Sequence, residues 1–397
     1  MRRTLRHLTG AELAGRRALV RVDYNVPLAE GGVRDLTRIQ ASLPTLEYLI
    51  ERDARPVLLS HLGRPGGSPD PSCSLQPVAE ALAAASGREV RFIRGPTDSA
   101  AALEASHELR PGEILLLENT RFLRGETSND KDLSRRLARL GDLFVNDAFG
   151  TAHRAHASTV GVATRLKPAV AGLLIELELA ALGRLRGEIE RPFVVALGGD
   201  KIGDKIQLLE EFLGRADRIL VGGAMANTLL RARAEAMGAS FVEDDALATA
   251  RTMLDRAGQR IELPVDLVVS SDREAGGDAH VVVPSEVPAG AAALDIGPET
   301  RERFRRAVLQ ARTFFWNGPM GLFEIEPFSA GTNALARAAA EATTGGAFTV
   351  VGGGDSASAI REAELADAVS HVSTGGGAAL EYLARGSLPG IEALDEA

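Results

Sequence analysis

The sequence predicts an α/β protein of two domains, each a parallel sheet with helices on its faces. The first observation is length: 397 residues exceed the size at which one hydrophobic core stops growing, so two domains of roughly 150 to 200 residues are expected. The second is alternation. Short apolar runs recur along the chain, and the intervals between them carry helical periodicity, as in successive βαβ units. The third is a junction repeated in the second half, where an apolar run gives way to glycines and then to a helical pattern.

In the first half the informative residues follow each apolar run. Ala18 to Val22 leads into Asp23-Tyr24-Asn25, and Pro56 to Leu59 leads into Ser60-His61-Leu62-Gly63-Arg64. Ile114 to Leu117 leads into Glu118-Asn119-Thr120-Arg121, and Leu143 to Val145 into Asn146 through His156, which includes Arg154. In open α/β sheets, ligands bind in the crevice beyond these strand ends. Asp23, Asn25, His61, Arg64, Arg121 and Arg154 are thus delivered to one edge, joined by Arg38 from the helix beginning near Thr37. Several arginines converging on one crevice suit carboxylate and phosphate, which a guanidinium grips with two parallel hydrogen bonds.

Charge balance changes at the middle of the chain. Up to Ala169 there are 24 basic and 20 acidic residues, a net +4 that leaves the remainder at −13. The basic half is the expected home of small anions. An apolar helix spanning Gly172 to Leu182 lies at the change and is expected to join the domains.

The second half opens on Leu197-Gly198-Gly199-Asp200-Lys201-Ile202-Gly203-Asp204-Lys205-Ile206. Among 45 basic residues only four are lysine, and Lys201 and Lys205 stand four apart at the start of a helix. Like charges so spaced repel, and the helix N-terminus is itself positive, so the placement asks for an anion between them. Similar junctions follow at Ile219 to Met225, Phe348 to Ser356 and His371 to Ala378. Glycines let backbone approach a ligand, and the helix N-terminus offers free N–H groups to phosphate. Four junctions in one domain favour a nucleotide site. Asp355 is a candidate oxygen ligand for Mg²⁺, with Ser356 opening the helix behind it. Glu324 follows the Asn317-Gly318-Pro319 turn as a candidate acceptor from ribose hydroxyls. Neither GxxxxGK[ST] nor a complete GxGxxG is present at these junctions, which argues against P-loop and dinucleotide chemistries.

Other classes are disfavoured. One cysteine, Cys73, excludes an intrachain disulfide and fits a reducing compartment. No signal-peptide core follows the basic N-terminus, and the most hydrophobic helix carries Glu176 and Glu178, so a cytoplasmic protein is expected. Aromatic content of 4% and the absence of basic tracts give no support to a nucleic-acid partner. His153 and His156 have no cysteine or carboxylate at a metal-motif spacing and are read as loop hydrogen-bonding residues.

These motifs resemble the phosphoglycerate kinase family, in the family's order, from near the first strand to the tail. Arg21 to Pro27, Ser60 to Pro65, Asn146 to Thr159, Trp316 to Gly321, Gly352 to Asp355 and His371 to Gly377 carry the resemblance. It implies two Rossmann-like three-layer (αβα) domains: residues 1–169 for 3-phosphoglycerate, a hinge helix at 170–187, a nucleotide domain at 188–377, and a tail at 378–397 returning to the first. It implies that Asp23, Asn25, Arg38, His61, Arg64, Arg121 and Arg154 hold 3-phosphoglycerate or 1,3-bisphosphoglycerate. Gly199, Lys205, Asn317, Glu324, Gly353, Gly354, Asp355 and Ser356 would hold ATP or ADP, with Mg²⁺ at Asp355, while Arg38 and Lys201 flank the phosphoryl group in transit after hinge closure. A monomer without membrane or nucleic-acid partners follows from the same resemblance. Departures are Asp200 for Ala, Gly203 for Ser or Ala, Ala293 for Gly, Leu177 for Lys and Ser356 for Thr. Two rivals stand beside this reading: a non-catalytic phosphometabolite-binding regulator, and a dinucleotide- or nucleotide-sugar-binding enzyme.

Overall fold

Strands rich in Val, Leu and Ile, apolar on both faces, build two separate parallel sheets. The computed structural model describes residues 2–29, 32–201 and 203–397, so Ile202 in the first Gly-rich junction lies outside the described residues, as does the Asp204 side chain. The chain divides into one unit of residues 1–180 with 387–397 and a second of residues 181–386.

In the first unit the parallel sheet is built from β1 (Arg17–Arg21), β2 (Arg55–Leu59), β3 (Val90–Ile93), β4 (Ile114–Leu117), β5 (Leu143–Asn146) and β6 (Ala169–Ala171). Their order is β3-β4-β2-β1-β5-β6, with every pair parallel. The chain fills one side of β1 before crossing to β5, which sets a switch point at their carboxyl ends. Helices α1 (Thr37–Ile50), α2 (Gln76–Ser86), α3 (Ala100–Glu108) and α4 (Lys131–Ala138) connect the strands. Their ends follow local chemistry: Asp130 accepts the Asp132 and Leu133 amides at the start of α4, and α2 stops at Gly87 in the left-handed region, φ +62°. Val20, Leu58, Leu116 and Val145 pack with Leu46 and Leu49 of α1 and with Val78 and Leu82 of α2.

The C-terminal residues fold onto this unit. The Arg3 amide donates to the Asp395 carbonyl at 2.8 Å, and Asn146 Nδ2 donates to the Gly390 carbonyl at 3.0 Å. Sequence reasoning begins the returning tail at 378, whereas 377–385 form a helix of the second unit and the chain re-enters the first at Ser387. At the other boundary, Ala169 opens β6, so the first sheet continues past the residue where charge balance changes.

Directly after β5, Asp147 is fully buried beneath helix α5 (Leu173–Arg184), and its Oδ1 accepts the Leu174 amide at 3.0 Å. A Cβ on Gly172 would stand 2.1 Å from that oxygen, so glycine is required where α5 begins. Burial pushes the Asp147 pKa up to about 7, against hydrogen bonds from Thr45, Leu174 and Ile175 that lower it. The unfolded chain ionises near the ordinary carboxylate value, whereas the folded one keeps the proton to about pH 7. Stability therefore falls as pH rises between those values, by at most a few kcal/mol, and stays low above them. Asp147→Asn should flatten part of the fall in melting temperature between pH 4 and 7. An unchanged slope would show that Asp147 ionises normally.

The second unit contains β7 (Phe193–Leu197), β8 (Arg218–Val221), β9 (Ile261–Glu262), β10 (Leu267–Ser270), β11 (His280–Val282), β12 (Ala292–Ile296), β13 (Thr313–Asn317), β14 (Phe348–Gly352) and β15 (His371–Val372). Six form a parallel sheet, β9-β8-β7-β13-β14-β15, whose switch point falls between β7 and β13. The four Gly-rich junctions lead from β7, β8, β14 and β15 into α6 (Ile206–Leu213), α7 (Gly223–Ala232), α11 (Gly354–Glu362) and α12 (Gly377–Arg385). Helices α8 (Leu247–Ala257), α9 (Pro298–Leu309) and α10 (Ala330–Thr344) complete the unit. Trp316 and Phe314 of β13 pack with Phe304 of α9 and Leu335 of α10. A second, antiparallel sheet, β11-β10-β12, was not expected from a reading of parallel sheets alone.

Candidate active site

Within the first unit the residues that follow successive strands meet. Asp23, after β1, pairs through Oδ2 with Arg38 Nη1 at 2.9 Å, which brings the first turn of α1 to the strand ends. Its Oδ1 stands 3.9 Å from His61 Nδ1, after β2. Asn25 accepts the Gly63 amide at 2.9 Å, and Arg121, after β4, donates to the Gly63 carbonyl at 2.6 Å. The loop before Arg64 is therefore held from both sides, with Gly63 in the left-handed region at φ +64°. Arg64, Arg121 and Arg154 line a cavity of about 550 Å³ together with Arg124, Gly66, Gly67 and Glu126.

The field in this crevice is positive. His61 is held well below the ordinary histidine pKa, first by burial and then by Arg21, Arg121 and Arg38. Burial and the cations Arg21, Arg121 and Arg154 bring His156 down to about 4. Arg121 itself is lowered by burial and by neighbouring Arg154 and Arg21. Histidines that stay neutral among fixed guanidiniums mark a place where an anion is welcome. His153 accepts from Arg154 Nε at 3.0 Å, a loop hydrogen bond.

Sequence reasoning missed Arg124 and Arg21. Arg124 shares the loop of Arg121, and its spacing could have flagged it. Arg21 is counted as a strand residue and as the start of a family motif but given no role at the site, and it is fully buried, with Nη2 3.1 Å from His61 Nδ1.

In the second unit a cavity of about 500 Å³ opens at the carboxyl ends of β7, β8 and β13. Gly199, Lys201, Glu324 and Asp355 lie on its wall, as does Asp200. Asp200 and Lys201 are both exposed. The apolar wall comes from Phe241, Leu267, Leu294 and Leu322, none of which sequence reasoning singled out. Phe241 is 45% exposed, a flat apolar face at the mouth.

The remaining predicted residues lie beneath that wall. Lys205 Nζ donates to the Gly198 carbonyl and, at 3.4 Å, to that of Asn317. Asn317 Nδ2 donates to the Gly352 carbonyl at 2.8 Å, and Ser356 Oγ accepts the Gly318 amide at 2.5 Å. A Cβ on Gly353, at φ +94°, would stand 2.6 Å from Asn317 Nδ2. These residues tie the ends of β7, β13 and β14 together. Helix α11 begins at Gly354, two positions before Ser356, which places Asp355 in its first turn.

Asp295 of β12 is a buried member of the cavity wall. Its Oδ2 accepts the Gly331 amide at 2.7 Å, and burial pushes its pKa up to about 7. Gly321 packs so closely on it that a Cβ would stand 2.4 Å from Oδ1.

Comparison with known proteins is consistent across three kinds of match. A family model described as phosphoglycerate kinase matches residues 8–385. The phosphoglycerate kinase of Thermus thermophilus is 54% identical over 394 residues, covering 98% of this chain and 100% of its own. That of Rubrobacter xylanophilus is 52% identical over 391 residues, with 98% of each covered. Among solved structures, phosphoglycerate kinase from Coxiella burnetii superposes with a TM-score of 0.87 at 39% identity, covering 99% of this chain and 98% of its own. The enzyme from Pyrococcus horikoshii gives 0.86 at 32% identity, with 98% of each covered.

Proposed function

The chain belongs to the phosphoglycerate kinase family, and we propose that its arginine-lined crevice takes 3-phosphoglycerate while its glycine-walled cavity takes the nucleotide. It is a phosphotransferase that moves a phosphoryl group reversibly between 1,3-bisphosphoglycerate with ADP and 3-phosphoglycerate with ATP, in glycolysis and gluconeogenesis. The observation that carries the residue assignment is the convergence of Arg38, His61, Arg64, Arg121 and Arg154 on strand ends of one sheet.

Phosphoryl transfer asks a protein mainly for in-line positioning and charge neutralisation. In this reading Arg64, Arg121 and Arg154 grip the 3-phosphate, and Asp23, Asn25, Arg38 and His61 orient the glycerate end. The purine lies along the Phe241 and Leu294 wall, Glu324 accepts from ribose hydroxyls, and the amides of Gly353 and Gly354 face phosphate beside Gly199, whose own amide donates to the Pro319 carbonyl at 2.9 Å. Lys205, Asn317 and Ser356 hold the strand ends that carry these amides. The reaction requires a carboxylate oxygen of 3-phosphoglycerate to reach the γ-phosphorus, and Arg38 and Lys201 neutralise charge on the group transferred.

Asp355 is exposed on the cavity wall and would hold a nucleotide-borne Mg²⁺ through a carboxylate oxygen. Among the described residues no group of three His, Cys, Asp or Glu forms a metal cage of its own, which fits a metal arriving with the nucleotide. Bound there, Mg²⁺ would neutralise charge on the nucleotide's phosphates. Among the described residues no helix is long and apolar enough to cross a membrane, and we read the protein as a cytoplasmic monomer.

The test is ATP-dependent turnover of 3-phosphoglycerate by the purified chain, with and without Mg²⁺. Asp355→Ala should raise the Mg²⁺ concentration for half-maximal rate by about tenfold, the loss of one charged ligand contact, with KM for 3-phosphoglycerate unchanged. Turnover without Mg²⁺, or clear binding of NAD, would sink this reading.

A further inference from the structure

Behind the arginine crevice runs a buried polar chain that the chemistry above does not use. Arg21, the last residue of β1, is fully enclosed. Its Nε–H donates to Ser158 Oγ at 2.9 Å, its Nη1–H to the Val22 carbonyl, and its Nη2 lies 3.1 Å from His61 Nδ1. Ser158 Oγ–H donates to Glu126 Oε1 at 2.5 Å, and Glu126 Oε2 accepts the Ser158 amide at 3.0 Å. Hydrogen positions in this chain follow from chemistry. A guanidinium has donors only, a carboxylate acceptors only, and a hydroxyl one hydrogen to give. Ser158 gives its hydrogen to Glu126 and receives one from Arg21, and Arg21 gives another to His61.

We propose that Arg21 is a positioning residue that fixes His61 in the tautomer bearing its proton on Nε2, making the imidazole a neutral hydrogen-bond donor to an oxygen of the substrate. The proposal rests on reading His61 as a contact of 3-phosphoglycerate. A ring nitrogen facing a guanidinium N–H can only accept, so Nδ1 carries no proton. Protonation of both nitrogens is opposed by burial and by the surrounding Arg21, Arg121, Arg38 and His156. The group that could draw a proton onto Nδ1 is Asp23, but its Oδ1 stands at 3.9 Å, beyond hydrogen-bond range, and its Oδ2 is paired with Arg38. Ser158 and Glu126 anchor the far side of the guanidinium, which leaves it no freedom to release His61. A fixed Nε2–H donates to phosphate, carboxylate or hydroxyl oxygens and rejects a ligand that presents a donor there.

Long-range ¹H–¹⁵N correlation of protein labelled with ¹⁵N-histidine reads the tautomer directly. Near pH 7.5 His61 should show a protonated Nε2 and a bare Nδ1, with the pattern retained near pH 5.5 and shifted by 3-phosphoglycerate. A bare Nε2 or a doubly protonated ring overturns the proposal. Arg21→Met removes the donor that faces Nδ1 and should let the Nδ1-protonated tautomer populate; a wild-type pattern in that variant overturns the part given to Arg21. Because Arg21→Met also takes a donor from buried Ser158 and the nearby positive charge from buried Glu126, and can prevent folding, kinetics of two His61 variants supply a second measurement. Gln places an amide N–H near Nε2 and Asn places one near Nδ1. His61→Asn should raise KM for 3-phosphoglycerate by about tenfold more than His61→Gln does. The reverse order, or equal losses, overturns the proposal. The expected tautomer with no response to 3-phosphoglycerate overturns the substrate contact, and with it the donor role, while leaving the effect of Arg21 on the ring in place.

Discussion

Lys201→Ala should lower kcat by about 10²- to 10³-fold, the loss of one preorganised cation from the transferring group, while MgADP binds as before. Lys201 is exposed on the wall of the nucleotide cavity, and among the described residues no ion pair within 4 Å joins it to the neighbouring Asp200. Its ammonium is a compact charge on a flexible stem, suited to a phosphoryl group that changes position during reaction. An interaction made only in the transition state lowers kcat and kcat/KM together and leaves ground-state binding alone. Calorimetry of MgADP binding beside a coupled turnover assay separates the cases. Unchanged turnover would remove Lys201 from the chemistry, whereas equal losses in turnover and nucleotide affinity would make it a binding residue. Lys205 provides the contrast, because its Nζ is engaged by the carbonyls of Gly198 and Asn317.

The strand ends were legible because each apolar run stops abruptly at charged or amide residues, and a parallel sheet presents those ends on one edge. The Gly-rich junctions were legible for a related reason: a strand-glycine-helix pattern is local and needs no partner to be recognised. What spacing could not distinguish was a residue that touches a ligand from one that frames the site. Asn317 and Ser356 are both expected as nucleotide contacts, and their side chains also bond the Gly352 carbonyl and the Gly318 amide. The apolar wall was invisible because Phe241, Leu267, Leu294 and Leu322 come from separate segments, brought together by the antiparallel sheet. That sheet was itself missed because its strands span three to five residues and its central pairing shifts register between Val268 and Val269, too short and irregular for periodicity to register. Arg21 was missed because it lies inside an apolar run and was counted with the strand rather than with the polar residues that follow it.

Arg38→Ala should lower kcat by a similar factor, about 10²- to 10³-fold, and should also raise KM for 3-phosphoglycerate by about tenfold. The second effect distinguishes it from Lys201. Arg38 Nη1 is 2.9 Å from Asp23 Oδ2, and the Asp23 side chain is only 9% exposed. Removing the guanidinium leaves a little-hydrated carboxylate facing the site of an anionic substrate, and like charges so placed repel strongly where water is scarce. The two losses then have different origins: the fall in kcat from the missing cation, the rise in KM largely from the uncovered Asp23. Adding Asp23→Asn to Arg38→Ala should recover much of KM and none of kcat, a coupling that a double-mutant cycle measures. Additive effects on KM would mean that Asp23 and Arg38 meet the substrate independently, and a recovered kcat would mean that Arg38 serves the reaction only by neutralising Asp23.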